Sequence, residues 1–396
     1  MQHKHTQKLQ TLFLKSGRER SLVNRHPWVF SGAVKTLPVA ENGEIVKVCT
    51  NHNELLGYGF FSTNSQITCR VFEFTSTEIN IDADFWKQKV YRAFNLRKLV
   101  LPENTNIYRL MHAEGDFLPG VIIDIYDDTA VVQLLVKGTE LISQHIFDAI
   151  REVGVKYIYL KTKQNTQRLE DVGMESGWVG ETRSMPIAAL EYGVKFMVDV
   201  EKGQKTGFFI DQRENRKILG EYSKGKKVLN TFSYSGGFSL YALANGSTLV
   251  HSVDSSKDAI DMCDQNVAAN FNNALHESYV QDVFDFMKEN KEDYDIIILD
   301  PPAFAKNAKA VPNASRGYKN LNLIAFKTIK PGGLVFTFSC SQHIDKDLFR
   351  KIVFGAAADA GRNVRILKQL TQPEDHPINI FHPEGEYLKG LLLHVE

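Results

Sequence analysis

Two apolar runs near the C-terminal end of the chain stop abruptly at polar tips. YDIIILDPPAFAK (294–306) ends its run at Asp300-Pro301-Pro302, and GGLVFTFSCSQ (332–342) ends its run at Ser339-Cys340-Ser341. Unbroken apolar runs of this length predict strands buried on both faces of an α/β sheet. Ligands of open α/β sheets bind just beyond the carboxyl ends of such strands, so the pattern predicts a carboxylate and a thiol close together above one sheet. Upstream the texture changes twice. Residues 1–73 hold short β-rich runs (WVFSGAV, GEIVKVCT, LLGYGFF, ITCRVFEF) separated by turn residues such as Glu41-Asn42-Gly43, which predicts a small β-barrel. Residues 82–100 switch to a helical period through Phe85, Val90, Phe94 and Leu96. Strands at GVIIDIYDD, TAVVQLLV and KYIYLKT, with a helix near 139–152, complete an α+β unit over 74–186. From 187 to 396 strands and helices alternate, with helices near 257–272 and 316–329, as in a doubly wound sheet. The segment 303–316 is expected to be a long basic loop, and such loops are often functional.

At 396 residues the chain is too long for one ordinary core, which fits this three-part reading. A hydrophobic fraction of 43% with 24% charged residues is that of a globular protein, and no apolar run approaches the ~18 residues of a membrane helix. The first ten residues lack the apolar stretch of a signal peptide. Cys49, Cys69, Cys263 and Cys340 show no CxxC or zinc-type spacing, so free thiols, no structural metal, no membrane and a cytoplasmic setting are expected. The zero net charge hides a basic start, in which Lys4, Lys8, Lys15, Arg18, Arg20, Arg25 and Lys35 face only Glu19. That end is a candidate for phosphate contact or simply a solvated basic face.

The last third supplies the candidate chemistry. VLNTFSYSGGFSLYA (228–242) reads as a strand, a Ser/Gly turn and a helix, whose backbone N–H groups would face the space above the sheet. It lacks GxGxxG, and Gly236-Gly237 alone is equally a plain tight turn. Asp254 ends the next strand where an acid can bind a ribose hydroxyl, Asp282 follows the third, and Asp300 ends the fourth. Each acid alone could be a solvated strand end; the set indicates a cofactor carrying adenosine. In EKGQKTGFFIDQREN (201–215), Phe208 and Phe209 cover an adenine or line a core, and Asp211 is expected to cap a helix. Cys340 at a strand tip beside Asp300 is the candidate nucleophile, whereas the other three cysteines read as small buried hydrophobes. Pro301-Pro302 fixes the backbone after Asp300 and shapes a slot for a flat base. In RHPWVF (25–30), Trp28 among cations stacks a base or packs inside the barrel. Lys306, Lys309, Arg316 and Lys319 offer a second cationic surface next to the double proline.

These segments, with GRERSLVNRHPWVFSGAV (17–34), GDFLPGVIIDIYDD (115–128) and HPINIFHPEGEYLKGL (376–391), resemble the large-subunit ribosomal RNA cytosine-5 methyltransferases, class I enzymes dependent on S-adenosylmethionine. The resemblance runs over nearly the whole chain. It implies a multidomain α/β protein with an N-terminal PUA β-barrel that binds RNA, a central α+β domain and a C-terminal Rossmann-like class I methyltransferase domain. For the cofactor it implies Lys205, Thr206, Gly207, Phe209, Gln212, Phe232, Tyr234, Ser235, Gly236, Asp254, Ser255, Asp282, Asp300 and Pro301. For catalysis it implies Cys340 and Asp300, and for RNA Arg18, Arg20, Arg25, Trp28, Lys306, Arg316 and Lys319. The expected product is 5-methylcytosine in 23S ribosomal RNA, because C5 of cytosine attacks a sulfonium only after a thiolate has added at C6. Many RNA cytosine-5 methyltransferases carry a second cysteine after the double proline. Here Ala303 stands there, which leaves the base that removes the C5 proton open. Methylation of a guanine nitrogen and a non-catalytic assembly factor are the alternatives, and a homodimer is compatible with all three readings.

Overall fold

The computed structural model describes residues 9–162 and 170–396. Six strands between Thr11 and Phe74 form one sheet around Leu12, Leu14, Val29, Val46, Val48 and Val71, and the short helix Arg20–Val23 adds Leu22 to that core. The long antiparallel pair Leu55–Phe61 and Ile67–Phe74 turns its other face toward the next unit. There Tyr58, Phe60 and Phe72 pack with Trp86 and Val90, and the Phe60 and Trp86 rings stack at 5.8 Å. Trp86 and Val90 belong to the helix Ala83–Val100, whose first turn is closed by Asp82 accepting from Phe85 N. The helical period forecast from sequence is therefore real, and its apolar side is what joins the first two parts.

The second sheet has five strands among the described residues: Ile107–His112, Val121–Tyr126, Thr129–Leu134, Tyr157–Leu160 and Gly177–Trp178. The first of them was not expected, because Arg109 interrupts its apolar pattern. Its guanidinium is neutralised across the strands by both oxygens of Asp124, at 2.7 and 2.9 Å. The hairpin Ile187–Glu191 and Val194–Val198 was likewise unforeseen. It turns at Tyr192-Gly193, both with positive φ as a two-residue hairpin turn requires. Its Phe196 and Val198 share a core with Tyr126 and Val131 of the second sheet and with Leu240 and Tyr241 of the last unit.

The last unit is a seven-stranded sheet, with strands numbered here in chain order: β1 Lys227–Thr231, β2 Leu249–Asp254, β3 His276–Val280, β4 Ile296–Leu299, β5 Gly333–Ser339, β6 Val364–Leu370 and β7 Lys389–Val395. Their spatial order is β3-β2-β1-β4-β5-β7-β6. The first five run parallel, and β7 is antiparallel to both β5 and β6. The Ile296–Leu299 run is fully buried, as its sequence predicts. Two expectations need correction. The basic loop is shorter than forecast, because a helix already starts at Val311 with Pro312 in its first turn, where a missing N–H costs nothing. β6 and β7 also escaped the sequence pattern, since Lys389 breaks one and Ile366 and Leu367 are exposed on the other.

Buried ion pairs bind this sheet to the middle one. Asp375 accepts from both terminal nitrogens of Arg213 at 2.8 and 3.0 Å and from the backbone N–H of Arg109 at 2.9 Å. Arg97 grips Asp116 with two bonds and donates to the Asp375 carbonyl at 2.8 Å.

Candidate active site

β1 leads into the turn Phe232–Gly236, where Phe232, Tyr234 and Gly236 all have positive φ. At Gly236 the glycine is also required by space, since a Cβ there would meet Cys263 Sγ at 2.4 Å. The turn is held by Asp254 at the end of β2. One carboxylate oxygen accepts from Tyr234 N and the other from Ser256 N, each at 2.9 Å. Each oxygen retains a lone pair for a ligand hydroxyl.

Beyond these strand ends lies a cavity of about 460 Å³, within the range of small-molecule sites. Lys205, Phe209, Gln212, Phe232, Tyr234, Ser235, Asp254, Ser255, Asp300, Pro301 and Cys340 all line it, so most residues expected to hold the cofactor converge there. Three buried atoms on its wall have no hydrogen-bond partner among the described residues: Ser233 Oγ, Ser235 Oγ and Asp211 Oδ1. Orphaned polar atoms around a cavity are the signature of a site for a polar ligand.

Four expected residues sit differently. Thr206 points away, donating to Asp124 at 2.6 Å, and Gly207 contributes a carbonyl to the Tyr234 hydroxyl at 3.1 Å. Gly236 shapes the turn without lining the cavity. Asp282 lies outside it and is exposed; its carboxylate caps the helix Val283–Glu289 through Phe284 N and Asp285 N. Asp211 is not a helix cap, as its sequence position suggested. It is buried in a 3-10 turn and accepts from Lys205 Nζ and Tyr387 Oη, both at 2.8 Å.

β4 and β5 are paired with Leu299 opposite Thr337, which carries Asp300 and Cys340 to the same rim. Asp300 opens onto the cavity but is otherwise enclosed by protein. Burial, reinforced by the negative charge of Asp211, pushes its carboxyl up to about 7 against the pull of Lys205 and Gln212. Burial and then the Asp300 charge push the Cys340 thiol up to about 11, with Lys205 opposing. Lys205 therefore acts on both groups, and its ammonium also lies 4.3 Å from the centre of the Phe209 ring. The serines beside the thiol are structural. Ser341 Oγ accepts from Ala305 N at 3.1 Å and bonds Tyr318 Oη at 2.9 Å, tying the Cys340 turn to the segment after the double proline. Lys389 on β7 was missed from sequence. It pairs with Ser339, is buried, and donates to the carbonyls of Ser341 and Tyr387, both at 2.7 Å. Burial lowers its amine to about 8, an effect Cys340 partly offsets.

Cys340 and Lys205 also stand in the wall of a second cavity, of about 490 Å³. Its other walls come from the N-terminal sheet through Trp28, from the middle unit through Glu114 and Gln133, and from the tail through His382 and Tyr387. Trp28 is thus not barrel core: its indole N–H donates to Glu114 Oε1 at 2.8 Å. Of the expected RNA contacts, Arg18, Arg20, Arg25, Lys306 and Arg316 are exposed, while Lys319 is paired with Asp359 at 2.7 Å. None of these six lines either cavity. Lys4 and Lys8 lie outside the described residues.

Residues 151–384 match the family described as S-adenosylmethionine-dependent methyltransferase, and residues 12–74 match the PUA-like domain. The chain is 40% identical over 392 residues to ribosomal RNA large subunit methyltransferase I of Aeromonas salmonicida, covering 96% of this chain and 98% of that protein. Its likeness to the Shewanella amazonensis protein of the same name is 42% over 390 residues, with the same shares covered. Among solved structures, one described as a methyltransferase complexed with SAH superposes with a TM-score of 0.84 at 25% identity, covering 97% of this chain and 99% of that one. No helix among the described residues is long and apolar enough to cross a membrane.

Proposed function

Because the chain belongs to the ribosomal RNA large subunit methyltransferase I family, whose cofactor is S-adenosylmethionine, we propose that it makes 5-methylcytosine in 23S ribosomal RNA through a covalent Cys340 intermediate. The observation that carries this reading is the placement of Cys340 in the wall shared by the two cavities, at the same strand-end rim as Asp300, which lines the first. A transfer to a ring nitrogen needs no thiol there.

The first cavity suits the cofactor. Asp254 has lone pairs for the ribose hydroxyls, the orphaned Ser233 and Ser235 hydroxyls and the Lys205–Asp211 pair suit an amino-acid end, and the acidic surroundings suit a sulfonium. When bound, the cofactor supplies an electrophilic methyl group. The protein's own task is to make C5 of the base nucleophilic. Cys340 adds as thiolate to C6, and the C5–C6 electrons move toward N3, which Asp300 in its acid form protonates. After C5 has taken the methyl group its proton leaves to a base, the C5=C6 double bond re-forms as the thiolate departs, and N3 gives its proton back to solvent. Asp300, by then a carboxylate, or a water is the candidate acceptor, since Ala303 offers none. A base inside a stacked helix cannot reach Cys340, so the target is unpaired or flipped out.

Bisulfite sequencing of 23S RNA from cells with and without the gene tests the reading. One cytosine should lose its protection when the gene is absent, and an unchanged profile would overturn the assignment.

A further inference from the structure

If the protein methylates a cytosine as proposed, the second cavity bears on which part of the RNA it grasps. Two of the cavity's wall residues are buried polar side chains that carry nitrogen atoms without a partner among the described residues. Gln133, on the strand Thr129–Leu134, is 3% exposed, and its Nε2 has no partner among the described residues. His382, 4% exposed, has no hydrogen bond at either ring nitrogen, the Glu384 carboxylate lying 3.6 Å from Nε2. Burying such groups unpaired is costly, and both residues line the second cavity, whose wall includes Cys340 but not Asp254. The rest of the wall mixes charged side chains, among them Arg109, Lys205 and Glu384, with apolar and aromatic ones that suit a flat ring. Ile122 and Leu135 are apolar, and Trp28 is held edge-on to His382, ring centres 4.5 Å apart, by its bond to Glu114.

We infer that this cavity is the chamber for the flipped target nucleotide, that Gln133 and His382 bond the polar edge of its pyrimidine, and that Trp28 closes it. The amide Nε2 is a donor, so it asks for an acceptor on the base; O2 of a pyrimidine supplies one and leaves N3 for Asp300. Burial lowers His382, so the imidazole is neutral at neutral pH and presents one donor and one acceptor. The chamber exists only while the N-terminal sheet is docked, because Trp28 is one of its walls. The N-terminal unit thereby contributes to recognition of the reacting base as well as to grip on the surrounding phosphates.

The test uses the full chain, unmodified 23S RNA made by transcription, and S-adenosylmethionine labelled in its methyl group. Gln133→Glu keeps the shape but replaces the donor by an acceptor. Turnover at saturating RNA should fall at least about 10-fold, the consequence of one buried unpaired group. Cofactor affinity by calorimetry and RNA retention on filters should stay within about twofold, since neither depends on the chamber. Leu135→Trp, which fills the space, should give the same split. Cofactor binding doubles as the folding control; should Gln133→Glu lose it, Gln133→Met is read by the same criteria. Wild-type turnover in both a folded Gln133 variant and Leu135→Trp would overturn the chamber. A wild-type product other than 5-methylcytosine would instead overturn the reaction assignment, and the dependence on Gln133 would still report on the chamber.

Discussion

A thiol pushed up to about 11 is mostly protonated at neutral pH, and a carboxyl pushed up to about 7 is half protonated. The proposed reaction requires the opposite of the first and the acid form of the second, which sets two expectations. The Cys340 thiolate fraction rises with pH toward about 11 while the Asp300 acid fraction falls through about 7, so the transfer rate should rise with pH up to about 7 and level off above it, and Asp300→Asn should remove that levelling along with most of the rate. A rate that keeps rising to pH 9 would exclude Asp300 as the acid. Cys340→Ala should abolish transfer while cofactor affinity changes little. RNA carrying 5-fluorocytosine at the target should be methylated and then remain attached to Cys340, because fluorine cannot leave C5 as a cation. Near-normal turnover by Cys340→Ala with no denaturation-stable adduct would sink the covalent mechanism. The placement of both at one rim was legible in the sequence because each follows a mostly apolar strand. Gln133, His382 and Lys389 were not, since their meaning lies in partners absent or distant in the chain. Asp211 was misread because an acid just before a helix ordinarily caps it, whereas here Lys205 and Tyr387 claim it.

At the scale of elements, the turn Phe232–Gly236 and the end of β2 form one device. Asp254 occupies two backbone N–H groups that would otherwise be unpaired, so it builds the turn while lining the first cavity. Asp254→Ala should weaken S-adenosylmethionine by about 1–3 kcal/mol and also lower the melting temperature. Calorimetry showing unchanged affinity in a folded variant would remove Asp254 from the ribose role. The parallel strands were readable because burial on both faces writes an apolar run. The hairpin 187–198 and strands β6 and β7 were not, because β6 lies at the sheet edge and the others carry charged residues, Glu191 and Lys389, whose partners come from outside their own strands. At Asp282 the strand-end position suggested a ligand contact, and the structure shows one of its carboxylate oxygens capping the following helix.

For the molecule as a whole, the join between parts decides which experiments are clean. Removing residues 1–73 would strip Tyr58, Phe60 and Phe72 from Trp86 and delete Trp28 from the second cavity, so truncation cannot isolate RNA grip from folding. The ionic join has its own signature. Asp375 and Asp211 are held well below the usual carboxylate range by His376 and Arg213 and by Lys205, against the cost of burial. Their contribution is present above the ordinary carboxylate pKa of about 4 and is lost as pH falls below it, because the unfolded state then binds more protons. Asp375→Asn should destabilise by about 3–5 kcal/mol, since Arg213 stays buried without its charge partner. A denaturant midpoint unchanged at pH 7 would show the network to be inert. The exposed Arg18, Arg20 and Arg25 lie away from both that network and the cavities, so they can be altered without disturbing either. If the basic end grips phosphates, changing all three to Ala should weaken RNA binding and reduce the slope of log affinity against log salt by up to about 2, at roughly 0.7 per phosphate contact on single strands. S-adenosylmethionine affinity should not move, because its cavity is built from other strands. Filter binding across a salt series reads the slope directly, and an unchanged slope would assign the phosphate grip to Lys306, Arg316 and their surroundings beside the reacting base.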